Sequence, residues 1–509
     1  ALIYESGQRS VDFFLLLEGA VEIFDRDPHG VPQVFVTLGP RQFAGELHMF
    51  NDREVLVSGR TCGETTVIRI GHTDFRRLMT GEPDIGEIVM RAFILRRVLL
   101  IRQAHGGVVV IGAAHTADTL RLKRFLTRNG YPYRLLDIET DPDAGGFMQC
   151  LALQPEELPV VVTADHRVLH NPTMAEIAET LGLTERIAEG RYFDVAIVGA
   201  GPAGLAAGVY AASEGLETII LEAMAPGGQA GTSSKIENYL GFPTGISGQA
   251  LAARAQIQAQ KFGAHIEIAR TVAGLDCSSR PYRLALDDGR IVQAGAVVIA
   301  TGARYRKLDL VDCERFEGQG IHYAATAMEA QLCSGEPVIV VGGGNSAGQA
   351  AMFLTRHAAH VHMVVRAEGL AATMSDYLVQ RIHQSPHITL HTRTTISAFD
   401  GDERLRRVSW TKLETGESET HPVGNIFVMI GADPNTDWLD DCLSLDPKGF
   451  ILTGSACDGA MSSSPYETSR PGIYAVGDVR ARSVKRVASA VGEGSVVVQA
   501  VHQFLHPVA

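Results

Sequence analysis

One stretch decides how this 509-residue chain is read: YFDVAIVGAGPAGLAAGVYAASEGLETIILE, Tyr192 to Glu222. Val195–Val198 reads as a buried strand feeding Gly199-Ala200-Gly201-Pro202-Ala203-Gly204, and the small residues that follow read as a helix. Each glycine has its own reason. Gly199 permits a tight turn, Gly201 lets a diphosphate approach the backbone, and Gly204 lets helix and strand pack closely. Pro202 and Ala203 open the helix, whose free N–H groups and dipole stabilise negative charge. After the second strand, Glu222 stands where a carboxylate accepts hydrogen bonds from ribose hydroxyls. A lone glycine pattern says little, but strand, glycines, helix and acid in this order predict a dinucleotide-binding α/β unit.

The same grammar returns in EPVIVVGGGNSAGQAAMFLTRHAAHVHMVVRAEGL, Glu336 to Leu370. Gly342, Gly344 and Ala347 make a GxGxxA turn, with Asn345 and Ser346 at the start of the next helix. The second strand, Val361 to Val365, ends at Arg366, with Glu368 two residues on. An acid at that place suits the free 2′-hydroxyl of NADH, whereas an Arg suits the 2′-phosphate of NADPH. A charge-assisted Arg–phosphate contact is worth about 1.5–3 kcal/mol, or roughly 10- to 100-fold in preference. NADPH is therefore the expected coenzyme and NADH the alternative. Between and beyond the two units lie PGGQAGTSSKIENYLGFP (226–243), VVIATGA (297–303) and GIYAVGDV (472–479).

In this order these motifs resemble the thioredoxin reductase family over roughly three-fifths of the chain. The resemblance implies two nested Rossmann-like domains, one for FAD and one for NADPH. Carried over residue by residue, it puts Gly199, Gly201, Pro202, Ala203, Gly204, Glu222, Gly228, Gln229, Asn238, Val272, Thr301, Gly302, Gly477 and Asp478 at the FAD, with Asp478 on the ribityl chain. Lys485, Arg486 and Val487 occupy the place of the family's Arg-Gln-Ala. Gly342, Gly344, Asn345, Ser346, Ala347 and Arg366 fall at the NADPH site. Of the family's His-Arg-Arg-x-x-x-Arg signature only Arg366 remains; Val365, Ala367 and Ala371 replace the rest.

The family carries CATC against the flavin, followed by an acid. Here GIHYAATAMEAQ (320–331) gives Ala324-Ala325-Thr326-Ala327, then Met328. Disulfide exchange needs a thiolate, which neither Ala nor Thr supplies. Cys333 and Cys313 flank the segment without a partner in sequence. His322, Tyr323 and Glu329 are the candidate proton donors; a packed His-Tyr pair and a helix N-terminal carboxylate are the plainer readings.

Upstream, residues 1–103 alternate short strands and glycine turns before a helical tail, Thr73 to Arg102. This order resembles the cyclic-nucleotide-binding domain, and Gly45-Glu46-Leu47 matches its phosphate-cassette motif. Arg53 comes too soon for the family's phosphate-binding Arg, and Val55 replaces a small residue. A degenerate structural or docking domain is expected, with nucleotide binding the alternative. Residues 107–190 read as strand–helix–strand–helix and resemble a thioredoxin- or glutaredoxin-like domain, with Leu158-Pro159 at its cis-proline position. AAHTADT (113–119) stands where that family has its CxxC. Residues 191–311 and 431–509 are assigned to the FAD domain and 312–430 to the NAD(P)H domain. The fold class expected is therefore α/β: two nested Rossmann-like domains after a β-rich and a thioredoxin-like domain.

Composition sets outer limits. Three or four domains are expected at this length. A net charge of −13 with a pI near 5.8 works against a general nucleic-acid binder, which needs surplus Lys and Arg. No apolar run reaches membrane-spanning length. No signal peptide is read at Ala1, which falls within a strand-rich stretch, so part of the natural N-terminus is expected to precede it. Cys62, Cys150, Cys277, Cys313, Cys333, Cys442 and Cys457 form no CxxC, and this scatter fits reduced thiols of a cytoplasmic protein better than a disulfide framework or metal site.

Three functions stay open. In the first, NAD(P)H reduces FAD, which passes electrons directly to a quinone, small molecule, electron-carrier protein or oxygen. Ferredoxin–NADP reductases on the same scaffold also lack CxxC; they carry an aromatic C-terminal extension, whereas only His506 to Ala509 follows the last helix here. The second is disulfide reduction through external or spatially assembled thiols, and the third a non-enzymatic redox or nucleotide sensor. The resemblance also implies a homodimer.

Overall fold

The computed structural model describes residues 1–509 except 10, 27–30, 46–54, 104–106, 143, 152, 164–166, 185–186, 189, 234, 314, 371–373, 403, 440–441, 458–463 and 508–509. Glu46, Leu47, Arg53 and Ala371, named above, lie outside the described residues.

The N-terminal unit is a sheet of β1 (Leu2–Tyr4), β2 (Phe13–Arg26), β3 (Pro32–Leu38), β4 (Phe43–Ala44) and β5 (Ser58–Ile70), ordered β1-β5-β2-β3 with β4 on β2. Val55 is buried in its core with Leu16 and Val21. The helical tail consists of two helices, α1 (His72–Gly81) and α2 (Pro83–Gln103). Pro83 has no N–H to continue α1 and disfavours helical backbone at Glu82, which adopts φ −122°, ψ 81°.

The second unit contains β6 (Val108–Gly112), α3 (Ala117–Arg128), β7 (Tyr133–Asp137), α4 (Ala144–Cys150), β8 (Val160–Val162), β9 (Val168–His170) and α5 (Met174–Thr180). Its sheet runs β7-β6-β8-β9, parallel at β6/β7 and antiparallel beyond. The Leu158–Pro159 bond is cis.

The first dinucleotide domain follows with β10 (Tyr192–Val198), α6 (Pro202–Ser213), β11 (Thr218–Glu222), α7 (Gly248–Lys261), β12 (His265–Ile268), β13 (Val272–Asp276), β14 (Tyr282–Leu286), β15 (Ile291–Ile299) and β16 (Ala303–Tyr305). Its sheet is ordered β12-β11-β10-β15-β14-β13, with β10 flanked in parallel by β11 and β15. A strand covered on both faces must be apolar throughout, as VAIV is.

The chain then builds the inserted domain: β17 (Ile321–His322), α8 (Ala327–Leu332), β18 (Pro337–Val341), α9 (Asn345–Leu354), β19 (His360–Val364), α10 (Asp376–Gln384), β20 (Ile388–His391), β21 (Thr394–Gly401), β22 (Leu405–Lys412), β23 (Ser418–His421) and β24 (Asn425–Val428). One sheet is parallel, β17-β24-β18-β19-β20; β21-β22-β23 forms another. The way out and the way back pair with each other, β16 against β25 (Ala432–Pro434). β26 (Ile473–Ala475) then joins β15 in the first sheet, and α11 (Val487–Leu505) packs on α6. The pairing of β16 with β25 is the seam of the insertion.

One buried cluster runs without a break from Leu122, Phe125 and Ile177 of the second unit into Leu205, Ile220 and Val497 of the first dinucleotide domain. The two are thus packed together through apolar surface. The expectation that all cysteines are reduced is corrected here: Cys277 and Cys442 form a disulfide, with Cα atoms 6.2 Å apart. They are 165 residues apart in sequence, and Cys277, following β13, meets Cys442 only because the chain returns to this domain after the insertion.

Candidate active site

At the end of β10 the glycines do three separate jobs. Gly199 has φ +103°, and a Cβ there would sit 2.5 Å from Ala300 O. A Cβ on Gly204 would sit 1.8 Å from Gly199 O, so only glycine lets α6 meet the turn. Gly201 is different: an added Cβ would find its nearest neighbour, Gly228 Cα, 4.0 Å away. The open side of Gly201 faces no protein atom that forbids a side chain, and the first N–H groups of α6 have no partner within the helix. Pro202 and Ala203 form its first turn. The turn leaves room for a diphosphate at the start of α6.

Glu222 holds the turn together as well as ending β11. It accepts backbone hydrogen bonds from Ala200 (2.8 Å), Met224 (3.0 Å) and Ala225 (3.2 Å). Gly228 (φ +53°) presses on Gly201, and Gln229 Nε2 donates to Ala303 O. Thr301 and Asn435 exchange hydrogen bonds of 2.9 Å across the β16/β25 seam, and Asn435 N donates to Gly302 O. Asn238 is exposed on the loop before α7, and Val272 is buried at the start of β13.

Gly477 and Asp478 follow β26 directly. Gly477 has φ +75°, and a Cβ would meet that of Ala203 at 3.0 Å, so this turn abuts α6. Its N–H donates to Glu493 Oε2 at 2.7 Å, and Glu493 pairs with Arg480 at 2.7 Å in a largely buried contact. Burial raises the Asp478 carboxyl above its ordinary value; Lys485, whose Nζ donates to Asp478 O at 2.8 Å, opposes that shift. Burial likewise lowers the Lys485 ammonium. Arg486 caps α11 and Val487 begins it.

The second cradle has the same form. Gly342 has φ +133°, with Met429 O 2.2 Å from an added Cβ; Gly344 is open; Ala347 is buried. Asn345 Oδ1 accepts from Ser375 N at 2.7 Å, tying the helix start to the loop before α10, and Ser346 stays exposed. Arg366 is exposed past β19. Glu368, the acid that suggested NADH, is ion-paired with Arg393.

A cleft joins the two halves. It is lined by Thr232, Ser233 and Lys235 from the loop after Gln229, by Tyr305, by Ala324 and Ala325, and by Ser346 and Gln349 at the start of α9. The cysteine-free segment thus faces the flavin loop and the second cradle together. His322, Tyr323 and Glu329 are not among the lining residues. His322 is 1% exposed, with Nε2 3.0 Å from Asn425 Oδ1, and burial lowers its pKa, which keeps it neutral. Tyr323 donates to Glu317 at 2.8 Å, and burial pushes its hydroxyl up. Glu329 accepts from Thr326 N at 3.1 Å and pairs with Arg124 of α3 at 3.3 Å. The proton-donor role expected of these three finds no support in this arrangement, because each is turned to a protein partner. The sequence reading gave no role to three lining residues: Tyr305, which carries no motif and reaches the cleft through the seam, and Thr232 and Lys235, which lie within the 226–243 stretch but reach the cleft only through the fold of that loop. It also passed over Glu493, whose GEG setting in α11 gives no sign that its target is Gly477.

Two glycine-turn cradles, the second inserted between strands of the first and opening on a shared cleft, define a two-nucleotide flavoprotein oxidoreductase. Residues 193–494 match the pyridine nucleotide-disulphide oxidoreductase model, and residues 1–82 match the cyclic nucleotide-binding domain. The chain belongs to the pyridine nucleotide-disulphide oxidoreductase family, and within it is thioredoxin reductase-like. It is 34% identical over 313 residues to the thioredoxin reductase of Treponema pallidum, covering 62% of this chain and 97% of that protein. With the NADPH-dependent thioredoxin reductase 3 of Arabidopsis thaliana it shares 31% over 319 residues, 61% of this chain and 58% of that protein's length. Among solved structures, Lactococcus lactis thioredoxin reductase in its FR conformation is 29% identical, with a TM-score of 0.58, and is covered completely by 62% of this chain. The family uses FAD and NADPH, and the two cradles fit them. Among the described residues no helix is long and apolar enough to cross a membrane, and no group of His, Cys, Asp and Glu is arranged to hold a metal.

Proposed function

We propose that this chain is an NAD(P)H-dependent FAD oxidoreductase that delivers electrons from the flavin directly to an external acceptor. The observation that carries the reading is the cleft wall. Ala324 and Ala325 line it where the relatives' motif would present a thiol. The two cysteines nearest in sequence are poor substitutes. Cys313 is buried beside Tyr323, and burial pushes the Cys333 thiol up to about 11, far from the thiolate that disulfide exchange requires.

The chain's own contribution is binding and access. Gly201 and Gly344 leave room for the two diphosphates, Asp478 would hold the ribityl chain, and Arg366 would favour a 2′-phosphate. When bound, FAD would supply hydride acceptance from the nicotinamide and delivery of the electron pair to an acceptor. The small side chains at 324 and 325 leave that exit open to a quinone, a small molecule, a carrier protein or oxygen. The cis Leu158–Pro159 bond and the β7-β6-β8-β9 order support a thioredoxin-like unit without cysteines at 113–119, so it supplies no dithiol either. We propose a homodimer, as in the family resemblance.

The test is anaerobic bleaching of the flavin by NADPH and by NADH, followed by turnover with quinones, dyes, oxygen, thioredoxin and small disulfides. Turnover with quinone or dye and none with disulfides is expected. Turnover confined to disulfides would replace this reading by thiol-based reduction, which the relatives' names favour. A flavin that neither coenzyme bleaches would leave only a sensor.

A further inference from the structure

Helix α3 belongs to the unit before the nucleotide-binding domains, yet its last turn lies on the loop that closes the first cradle. Arg128 Nη2 donates to Gly228 O at 2.9 Å, and Nη1 lies 3.0 Å from Met224 Sδ. Asn129 Nδ2 donates to Met224 O at 3.2 Å, and Thr127 O accepts from Gln249 Nε2 at 2.5 Å. Gly228 in turn touches the cradle: a Cβ on it would lie 3.0 Å from Gly201 Cα. The guanidinium therefore rests at the rim of the site, between the Gly228 turn and the Glu222 turn.

What it lacks is an anion in direct contact, Glu222 acting on it only from further off. Both contacts are neutral, a carbonyl and a thioether, and among the described residues no carboxylate is in ion-pair contact with Arg128. Burial lowers its pKa, against the influence of Glu222 and Tyr305. Taking a cation out of water is costly unless a counter-charge is near. The neighbouring cradle is shaped to receive a diphosphate, the one strongly anionic group of FAD, and a guanidinium is well suited to bind it with two parallel hydrogen bonds.

We propose that Arg128 is a cofactor-binding residue supplied across the domain boundary, pairing its guanidinium with the FAD diphosphate and closing the cradle from the thioredoxin-like side. This rests on the FAD assignment of the first cradle. It also gives the cysteine-free unit a task unconnected with disulfides, which is to complete the flavin site.

The test uses the deflavinated full-length chain titrated with FAD, read by flavin fluorescence, with apo-protein melting measured in parallel. Arg128→Gln is expected to weaken FAD binding about 10- to 100-fold, and Arg128→Lys less, because Lys keeps the charge but loses the fork. Added salt should weaken the wild type more than the Gln variant. Asn129→Ala, which removes a docking contact without removing charge, should lower apo stability and leave FAD affinity unchanged. If Arg128→Gln binds FAD as the wild type does, with no difference in salt dependence, Arg128 is only a domain hook and the proposal is overturned. If Arg128→Gln does not fold, equal affinity and salt response of Arg128→Lys and wild type would overturn it instead. A wild-type chain that takes up no FAD would refute the flavin assignment itself, a separate outcome.

Discussion

Gly201→Ala and Gly204→Ala add the same methyl group three residues apart, and the structure assigns them different consequences for the apo-protein. At Gly204 the new Cβ would lie 1.8 Å from Gly199 O, whereas real Cβ atoms essentially never come within 3.0 Å of such an atom. Helix and turn must therefore separate by at least 1.2 Å, the difference between those two distances. The obstacle is backbone, so no side chain can rotate away. Overpacking of this kind costs about 1–3 kcal/mol, partly offset by about 1 kcal/mol from the better helix propensity of Ala. Because the shift moves the whole start of α6, FAD binding should fall with stability. At Gly201 the nearest atom is 4.0 Å away. There the cost to the apo-protein is only the poorer N-cap, about 0.5 kcal/mol, while the methyl group fills the approach of the diphosphate. FAD content after purification, FAD titration of the deflavinated protein and urea unfolding of both apo variants separate the two. Gly204→Ala should lose stability and FAD together, and Gly201→Ala should lose FAD with near-normal apo stability. Equal apo destabilisation by both, or normal FAD affinity in Gly201→Ala, would refute the assignment of Gly201 to the ligand and Gly204 to packing.

Four further outcomes follow from named contacts. Asp478→Asn should weaken FAD by about 1.5–3 kcal/mol, roughly 10- to 100-fold, through loss of a charged acceptor. The same change should stabilise the apo-protein above the ordinary carboxyl range, since a carboxyl raised by burial loses stability as pH rises from its ordinary 3.8 through its folded value and Asn does not; melting of wild type and variant compared from below pH 3.8 upward checks the sign. Arg366→Ala should raise KM for NADPH about 10-fold or more, with KM for NADH and kcat little changed, because Glu368 is occupied by Arg393; an equal effect on both coenzymes would remove Arg366 from the phosphate. Glu329→Gln should cost about 1 kcal/mol of stability by weakening the α8 cap and the Arg124 pair, and neither it nor His322→Ala should slow flavin reoxidation in stopped-flow. His362 is held down to about 4, first by burial and then by His391, His360 and His421, so unfolded chains bind more protons than folded ones between pH 6.5 and about 4. Stability of the inserted domain should therefore fall as pH drops through that window, and His362→Gln should flatten the fall in pH-dependent melting.

Much of the fold was legible because its signals are local. A glycine at φ +103° with a carbonyl beside it is required by the turn itself, and a strand buried on both faces must be apolar along its length. The break of the N-terminal helical tail at Pro83 is local in the same sense, since proline acts on its own turn. The loss of the thiols at 324–327 was visible without coordinates because it concerns which atoms are present. The nesting of one domain in the other was likewise legible from motif order, with the GxGxxG half first, the GxGxxA unit inside and Gly477-Asp478 at the end.

The sequence alone therefore determined the two nucleotide cradles, their order and the missing dithiol, because each depends on residue type and short spacing. Tertiary structure decided which charges meet. It buried His322 against Asn425, turned Glu329 into a cap held by Arg124, joined Cys277 to Cys442, and set Glu493 under Gly477. It also carried Arg128 100 residues along the chain to the carbonyl of Gly228. A charge or a thiol is defined by its neighbours in space, and in a chain that leaves one sheet and returns to it those neighbours lie far apart in sequence.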